Sequence, residues 1–478
     1  MSHMQPLDHS ISRTICNPIP LPDYPRGRAC IDAKAGDTGW MHNLPHDFRE
    51  TADPSVLYHE GRWFLYPSCG MAWVSADFQT WEHHRLEPYD AGYAPTIVKH
   101  GDRFLLTACG AGIFSAPTPL GPFTALGPLL KPNGQPIENY NDPMLFSDDD
   151  GRLYVYWGLG EPGIFGAEIN AENCTQLLTE PQIMFSFDVS HTWERYGEYN
   201  EDRTRSYVEG PWLIKIAGTY YLTYAAPGTE WRTYGMGALR STSPLGPFVR
   251  QQNNPFCSRT EGLIQGPGHG CIVRGPNDTL WAFYTCRVSY EHVFERRIGF
   301  DPCGLDTHGD LFVNVSEFPQ WAPGVLTKPE QGNLAGLSPM NHRRHTQISS
   351  SASGRNGLYA VDNCMHTWWE PAAGDSVPTL EQDLGHPVTL SAVRLVWRDI
   401  NLDYARDRGP GPFRWKLDTA GPDGVWTNAI DASGNSKDLL IDYRTFAERL
   451  VQKVRLTITG WPTDLTPGLT DLSVFGRT

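Results

Sequence analysis

Hydrophobic and polar positions along the first two-thirds of the chain repeat one phrase: a short apolar stretch, a polar turn with glycine, then a run rich in aromatics. Asp53-Pro54-Ser55-Val56-Leu57 leads through Glu60-Gly61 to Trp63-Phe64-Leu65-Tyr66, and Asp142-Pro143-Met144-Leu145-Phe146 leads through Asp150-Gly151 to Leu153-Tyr154-Val155-Tyr156-Trp157. Glu209-Gly210-Pro211-Trp212-Leu213-Ile214 passes Ala217-Gly218 to Tyr220-Tyr221-Leu222-Thr223-Tyr224. Two copies lack the acid: Ala94-Pro95-Thr96-Ile97-Val98 before Phe104-Leu105-Leu106, and Gly268-His269-Gly270-Cys271-Ile272-Val273 before Leu280-Trp281-Ala282-Phe283-Tyr284. Each copy is a β-hairpin signal, β-branched and aromatic runs bounded by Gly, Asp and Asn turns. A second motif supports the first: Ser115-Ala-Pro-Thr-Pro-Leu-Gly-Pro-Phe123 echoes Ser241-Thr-Ser-Pro-Leu-Gly-Pro-Phe248, each after a hairpin and before the next copy. Units spaced roughly 40 to 70 residues apart, each with several short strands, predict propeller blades rather than a solenoid.

The fold expected is therefore all-β: a five-bladed β-propeller over residues 22–326, then a linker at 327–348 rich in Pro, Gly, Ser, His and Arg, then a β-sandwich over 349–478. Alternation in Ala392 to Arg398 and Val454 to Thr459 fits half-buried antiparallel strands in that last part. Residues 1–21 read as a lead-in whose Met1-Ser2-His3-Met4 start looks like an expression-vector remnant, so the lack of a signal peptide carries no information.

In a propeller the innermost strands line the central channel, which brings Asp53, Asp142, Glu209 and His269 to one pocket. An Asp before Pro is often just the start of a turn. Turn chemistry alone, however, does not require acids at equivalent places in a repeat. Paired carboxylates in one pocket suit glycoside hydrolysis with inversion: one protonated acid serves the leaving oxygen, and one ionised base activates water from roughly 6.5 to 9.5 Å away. Asp53 fits the base and Glu209 the acid. Asp142 would raise the pKa of Glu209 by like-charge repulsion.

Composition narrows the partners. A net charge of −15 argues against nucleic acid and anionic membranes and suits a neutral oligo- or polysaccharide, and no apolar run reaches the roughly 18 residues of a membrane span. The ten cysteines show no Cys-x-x-Cys or metal-ligand spacing, so Cys109, Cys271 and Cys286, inside strand runs, are expected as buried reduced thiols. Asp148-Asp149-Asp150-Gly151 lacks the alternation and final Glu of a calcium loop and is expected as a hairpin turn. His42 to Asp47 form a Pro-containing loop beside the first blade, with His46 or Asp47 at the pocket rim.

Ala52-Asp53-Pro54, Tyr93-Ala94-Pro95, Asn141-Asp142-Pro143-Met144-Leu145-Phe146 with Asp149-Asp150-Gly151, Val208-Glu209-Gly210-Pro211 and Gly268-His269-Gly270 together resemble the ordered motif set of glycoside hydrolase family 43. The resemblance covers two-thirds of the chain. It implies a five-bladed propeller that hydrolyses glycosides with inversion, chiefly α-L-arabinofuranosides and β-D-xylosides, with some galactosidases. It implies Asp53 as general base, Glu209 as general acid and Asp142 as the residue that orients and tunes the pair. It also implies that His269 helps hold a central water or a calcium ion, no cofactor being required otherwise, and that Arg296, or its neighbour Arg297, contacts substrate.

Sugars stack on aromatic faces. Trp73 and Trp231 are expected as substrate contacts, with Trp40 and Trp193 as further candidates, although blade cores also consume aromatics. Beyond the linker, Ala360-Val361-Asp362-Asn363, Thr367-Trp368-Trp369-Glu370-Pro371 and the terminal Leu472-Ser473-Val474-Phe475-Gly476 resemble a discoidin-like domain of the coagulation-factor type C kind, a jelly roll. That resemblance implies either a carbohydrate-binding module, with Trp368, Trp369 and the loop from Asn401 to Pro412 as the places to look, or a structural cover for the propeller. The expected function is an exo-acting inverting glycosidase releasing a terminal sugar, α-L-arabinofuranose first, then β-D-xylose or a galactosyl or galactofuranosyl unit. A sugar-binding propeller without catalysis is the alternative of another class. The substrate class favours a secreted or periplasmic setting, whereas reduced cysteines favour the cell interior. Oligomeric state is not legible.

Overall fold

The computed structural model describes residues 10–23, 48–68, 70–86, 92–288, 293–403, 406 and 408–478. Five antiparallel sheets follow one another along the chain, each with strands in sequence order. Blade I comprises Ser55–His59, Arg62–Tyr66, Met71–Ser75 and Glu82–Arg85, and blade II Thr96–His100, Arg103–Thr107, Ile113–Ala116 and Thr124–Gly127. Blade III comprises Met144–Ser147, Leu153–Trp157, Ile164–Ile169 and Gln182–Phe185. Blade IV comprises Glu209–Ile216, Thr219–Ala226, Gly235–Ser241 and Val249–Arg250, with Cys257–Ser258 added to its third strand. Blade V comprises Gln265–Arg274, Leu280–Arg287, Arg296–Leu305 and Leu311–Val313. The first strand of each blade packs against those of its two neighbours in the cyclic order I–II–III–IV–V–I, which closes the propeller predicted from the repeat.

The repeat encodes the blades through its turns. His59 pairs with Arg62 and Ile216 with Thr219, so Glu60-Gly61 and Ala217-Gly218 are two-residue loops, and all four residues have positive φ. That is the type I′ geometry whose twist matches the flanking strands. Aromatic second strands then fill the blade interfaces: Trp63 lies 5.1 Å from Phe78 and 5.8 Å from Phe283 of blade V, ring centre to ring centre.

The C-terminal part is one seven-stranded antiparallel sheet whose two long members change neighbours along their length. In Thr379–Ile400, the first residues pair with Thr346–Ile348 and the far half of Ile441–Gly460; from Val388 on, they pair with Thr466–Arg477 and the near half of Ile441–Gly460. Register shifts between Asp383 and Val388 and between Leu390 and Ala392 mark the change, as expected where strands bend between the layers of a sandwich. The sheet begins earlier than the expected linker boundary: Ser338–Pro339 pairs with Phe475 and Gly476, and Thr346–Ile348 is an edge strand. Backbone hydrogen bonds recruit these polar residues, which show no hydrophobic alternation.

The sandwich is joined to the propeller by buried polar contacts. Arg394 Nη1 donates to the carbonyls of Asn17 and Glu317 at 2.9 and 2.7 Å, while its Nε donates to Asp471 at 3.0 Å. Arg49, just before blade I, reaches Asp399 and Asp438 of the sandwich.

Candidate active site

Backbone shape at the head of the inner strands gathers the predicted residues. Asp53, Ala94, Asp142, Gly210 and His269 have φ of 52°, 47–58° for the middle three, and 35°, all in the left-handed region. This kink recurs in all five blades, and Asp53, Asp142 and His269, which carry it, line the central cavity. In blade IV the kink falls on Gly210, one residue after Glu209, and the strand register slips between Glu209 and Trp212. Glu209 therefore enters the pocket from one position upstream of its counterparts. A Cβ on Gly210 would lie 2.8 Å from the His269 ring, so glycine serves both the φ and the close approach.

A cavity of about 740 Å³ lies over these residues, lined by Asp53, Asp142, Glu209, His269 and Arg296 among others. It is within the roughly 300–1,000 Å³ of small-ligand sites. Asp53 is mostly buried yet lines the cavity, and each of its oxygens has a partner. Oδ2 accepts from Ser68 Oγ at 2.7 Å and Arg296 Nη2 at 3.3 Å; Oδ1 accepts from Arg296 Nη1 at 3.2 Å and lies 3.4 Å from His269 Nδ1. Burial pushes its pKa up, but Arg296, His269 and the hydroxyls of Ser68 and Thr285 outweigh that and hold it below the ordinary aspartate value.

Glu209 is the opposite case. Burial pushes its pKa well above the usual glutamate value, and the negative neighbours Asp142, Asp53 and Glu230 push the same way, against the Tyr234 hydroxyl that donates to Oε1. Asp142 is also raised, by burial first and by Asp53, although His269, the Cys109 thiol and the Gly210 amide oppose it. Its Oδ2 accepts from Gly210 N–H at 3.2 Å and lies 3.6 Å from His269 Nδ1. Two of the three acids share one imidazole, and their environments push the outer pair, Asp53 and Glu209, apart.

Arg296 rather than Arg297 faces the pocket. Its guanidinium spans Asp53 and Glu50, also donates to Thr229 Oγ1 at 3.2 Å, and lies 5.0 Å over the Phe294 ring. Arg297 donates instead to the backbone carbonyls of Arg49 and Arg296. Two of the expected sugar platforms belong elsewhere. Trp73 is completely buried, with Nε1 donating to the Pro22 carbonyl at 2.7 Å, so it has no face to offer a ligand. Trp231 follows Gly228, Thr229 and Glu230 in the pocket wall, but its ring does not line the cavity; it packs edge-on to Tyr196 at 5.3 Å. Trp193 covers Gly237 and Tyr224. Trp40, His42, His46 and Asp47 lie outside the described residues.

Several pocket residues carried no signal in the repeat. Leu159, Tyr207 and Val293 form an apolar rim, 39%, 37% and 38% exposed against a mostly buried floor. Glu50 and Tyr93 support Arg296 from behind, the Tyr93 hydroxyl donating to Glu50 at 3.0 Å. Cys109, expected as a core thiol, lines the pocket and donates to Asp142 Oδ1 at 3.3 Å while accepting the Asp142 amide at 3.1 Å. Blade II ends its second strand at Thr107, so the two residues beyond it reach the axis.

The donor set around His269 does not suit calcium. The ion needs about six to eight oxygens, whereas the Asp53 oxygens are already taken by Arg296, Ser68 and Thr285, and no group of three or more acidic, His or Cys side chains among the described residues is arranged around an ion. Nor is Asp148 free for one, since Lys215 and Tyr220 donate to it at 2.8 and 2.5 Å in the expected hairpin turn.

A five-bladed propeller with three carboxylic acids gathered in its axial pocket has the layout a glycosidase needs. The chain belongs to glycosyl hydrolases family 43, whose model matches residues 43–309. It is accordingly an inverting glycoside hydrolase. It is 26% identical over 284 residues to the Aspergillus niger beta-D-galactofuranosidase xynD, covering 52% of this chain and 77% of that protein. It is 29% identical to a Vibrio xylan 1,3-beta-xylosidase (41% of this chain, 36% of that one) and 25% identical to a Bacillus subtilis arabinoxylan arabinofuranohydrolase (41% and 48%). The match thus spans less than half the length of these last two relatives. Among solved structures, a thermostable family-43 glycoside hydrolase aligns over 57% of this chain and 96% of its own at 24% identity and TM-score 0.48. The Bacteroides ovatus xyloglucan-locus protein GH43B aligns over 97% and 100% at 15% and 0.49.

Proposed function

We propose that the protein is an exo-acting glycosidase that releases a terminal sugar from an oligo- or polysaccharide, α-L-arabinofuranose first, with β-D-xylose and a galactosyl or galactofuranosyl unit next. The observation that carries the reading is the opposed tuning of Asp53 and Glu209 within one pocket. Asp53, ionised, takes a proton from the attacking water. Glu209, protonated, gives its proton to the departing glycosidic oxygen, and Asp142 keeps it protonated until then. His269 spaces Asp53 from Asp142, and Arg296 fixes the rotamer of the base.

Exo action is supported by a charged floor on the axis under an apolar rim at Leu159, Tyr207 and Val293. The terminal sugar fills the floor, and the rest of the substrate leaves over the rim. A neighbouring cavity of about 520 Å³ shares Asn141 and Leu159 with the pocket and runs past Phe165, Pro162 and Pro181, which offers room for the sugars of the leaving group. Preference for a furanose rests on the relatives, two of the three being named for furanosides.

A panel of aryl glycosides (α-L-arabinofuranoside, β-D-xyloside, β-D-galactoside, β-D-galactofuranoside), followed by NMR of the first anomer formed, tests this reading. Turnover of the arabinofuranoside with inversion, lost in Asp53→Ala and Glu209→Ala, is expected. Saturable oligosaccharide binding with no turnover of any glycoside would replace it with the non-catalytic, sugar-binding alternative.

A further inference from the structure

The segment that delivers Asp53 belongs to no sheet, and part of what holds it comes from the other domain. Residues 48–54 run without strand pairing into Ser55–His59. Their backbone is tied to blade V, with Thr51 N–H on the Arg296 carbonyl at 3.1 Å and Arg297 Nη1 on the Arg49 carbonyl at 2.7 Å. The side chains alternate. Arg49 points away from the pocket into the sandwich, where Nε donates to Asp399 Oδ2 at 2.5 Å and Nη1 to Asp438 Oδ2 at 2.7 Å. Glu50 points the other way and grips Arg296, which holds both oxygens of Asp53.

Charge therefore alternates in an unbroken line: Asp399 and Asp438, then Arg49, the peptide to Glu50, Arg296, and Asp53. Every member except Asp438 is almost wholly buried, and Asp438 is mostly so. Asp438 is also tied to the lead-in through its carbonyl, which accepts from Asp23 N–H at 2.8 Å beside the Pro22–Leu439 bridge. Two carboxylates on one arginine are more than a surface ion pair supplies, because a buried guanidinium keeps its place only where its donors are met.

We infer that the C-terminal sandwich is a working part of the active site: through Asp399 and Asp438 it fixes Arg49, and with it the register at which Glu50 and Arg296 hold Asp53. Asp399 and Asp438 are positioning residues, since neither touches substrate. The aromatic pair that suggested a carbohydrate-binding role for this domain is otherwise engaged. Trp369 is buried and donates to the Ser350 carbonyl, and Trp368 has the Arg355 and Arg398 guanidiniums 3.2 and 3.7 Å from its ring centre, so both faces are covered. Two guanidiniums that near one centre must lie on opposite sides of the ring.

The inference rests on Asp53 acting as the base, and the test separates the two. Full-length wild type, Asp399→Asn, Asp438→Asn, the double variant and Arg49→Lys are compared for kcat, KM, pH profile and melting temperature on the best aryl glycoside. Lys416→Gln, which removes an exposed ion pair with Asp431 on the same sandwich, is the control. In the double variant kcat is expected to fall at least tenfold with KM changed less than threefold. The acid limb of the profile should move to higher pH as Asp53 loses Arg296, and Arg49→Lys should fall between. Lys416→Gln should match wild type. A double variant that melts like wild type and keeps its kcat and acid limb would overturn the inference. If the double variant does not fold, Asp438→Asn, which leaves Asp399 on Arg49, decides by the same readings. A wild type inactive on every glycoside would instead remove the reading of Asp53 itself.

Discussion

The Tyr234 hydroxyl donates to Glu209 Oε1 and so works against the burial and negative charge that keep Glu209 protonated. Glu209 must carry its proton to act, so activity is lost as pH rises through its raised pKa. Asp53 must be ionised, so activity is lost as pH falls through its lowered pKa. The profile is a bell with these two limbs. A hydrogen bond to a charged group contributes about 1.5–3 kcal/mol, and one pH unit is about 1.4 kcal/mol. Tyr234→Phe is therefore expected to move the alkaline limb up by about one unit and leave the acid limb in place, as read from kcat/KM between pH 3 and 10.

Asp142→Asn should act in the reverse sense. It removes the negative neighbour that acts most strongly on Glu209, so the alkaline limb moves down, and kcat at neutral pH falls by about 10²-fold or more, at the low end of what a general acid supplies. The leaving group separates this from damage to the base. In Glu209→Ala, dinitrophenyl glycosides, whose phenolate needs no proton, should keep much more of their rate than sugar-linked substrates. Asp53→Ala should lose both alike.

Gly210→Ala tests the kink that lets Glu209 approach. An alanine there takes a positive φ and puts its methyl against His269. A stability loss of about 1–3 kcal/mol is expected from strain alone. Thermal unfolding measures it, and a drop in kcat beyond the loss of folded protein would show that His269 has been pushed from between Asp53 and Asp142.

Trp73 and Tyr207 make a paired comparison. Trp73→Ala empties a core site and should cost about 3–5 kcal/mol of stability while leaving the KM of the folded fraction unchanged. Tyr207→Ala, at the exposed rim, should change the melting temperature little and raise KM for oligosaccharides more than for aryl glycosides. The opposite pattern would put the substrate at Trp73.

These contrasts follow what the sequence could and could not convey. Residues that open a repeat, Asp53, Asp142, Glu209 and His269, are legible because a propeller sends every such position to the axis. Arg296 lies in a strand of the last blade, and its role was legible only through family resemblance. Trp73 and Trp231 were misplaced because an aromatic in a blade looks the same in sequence whether it faces a core or a pocket. Glu50, Tyr234, Ser68 and Cys109 act through contacts between segments distant in sequence, with no periodicity to reveal them. The early start of the last sheet at Ser338 was hidden for a related reason: edge strands there are held by backbone hydrogen bonds rather than by an apolar pattern.

Ala94 shares the left-handed kink of Asp53, Asp142, Gly210 and His269, yet carries only a buried methyl group. The bend is thus a property of the scaffold, present whether or not chemistry uses it. Of the five kinked places two carry acids and one an imidazole, a fourth is the glycine that lets Glu209 in from one position upstream, and the fifth is blank. Bending of the backbone and supply of chemistry are thereby separate, and a place such as Ala94 keeps the first without the second.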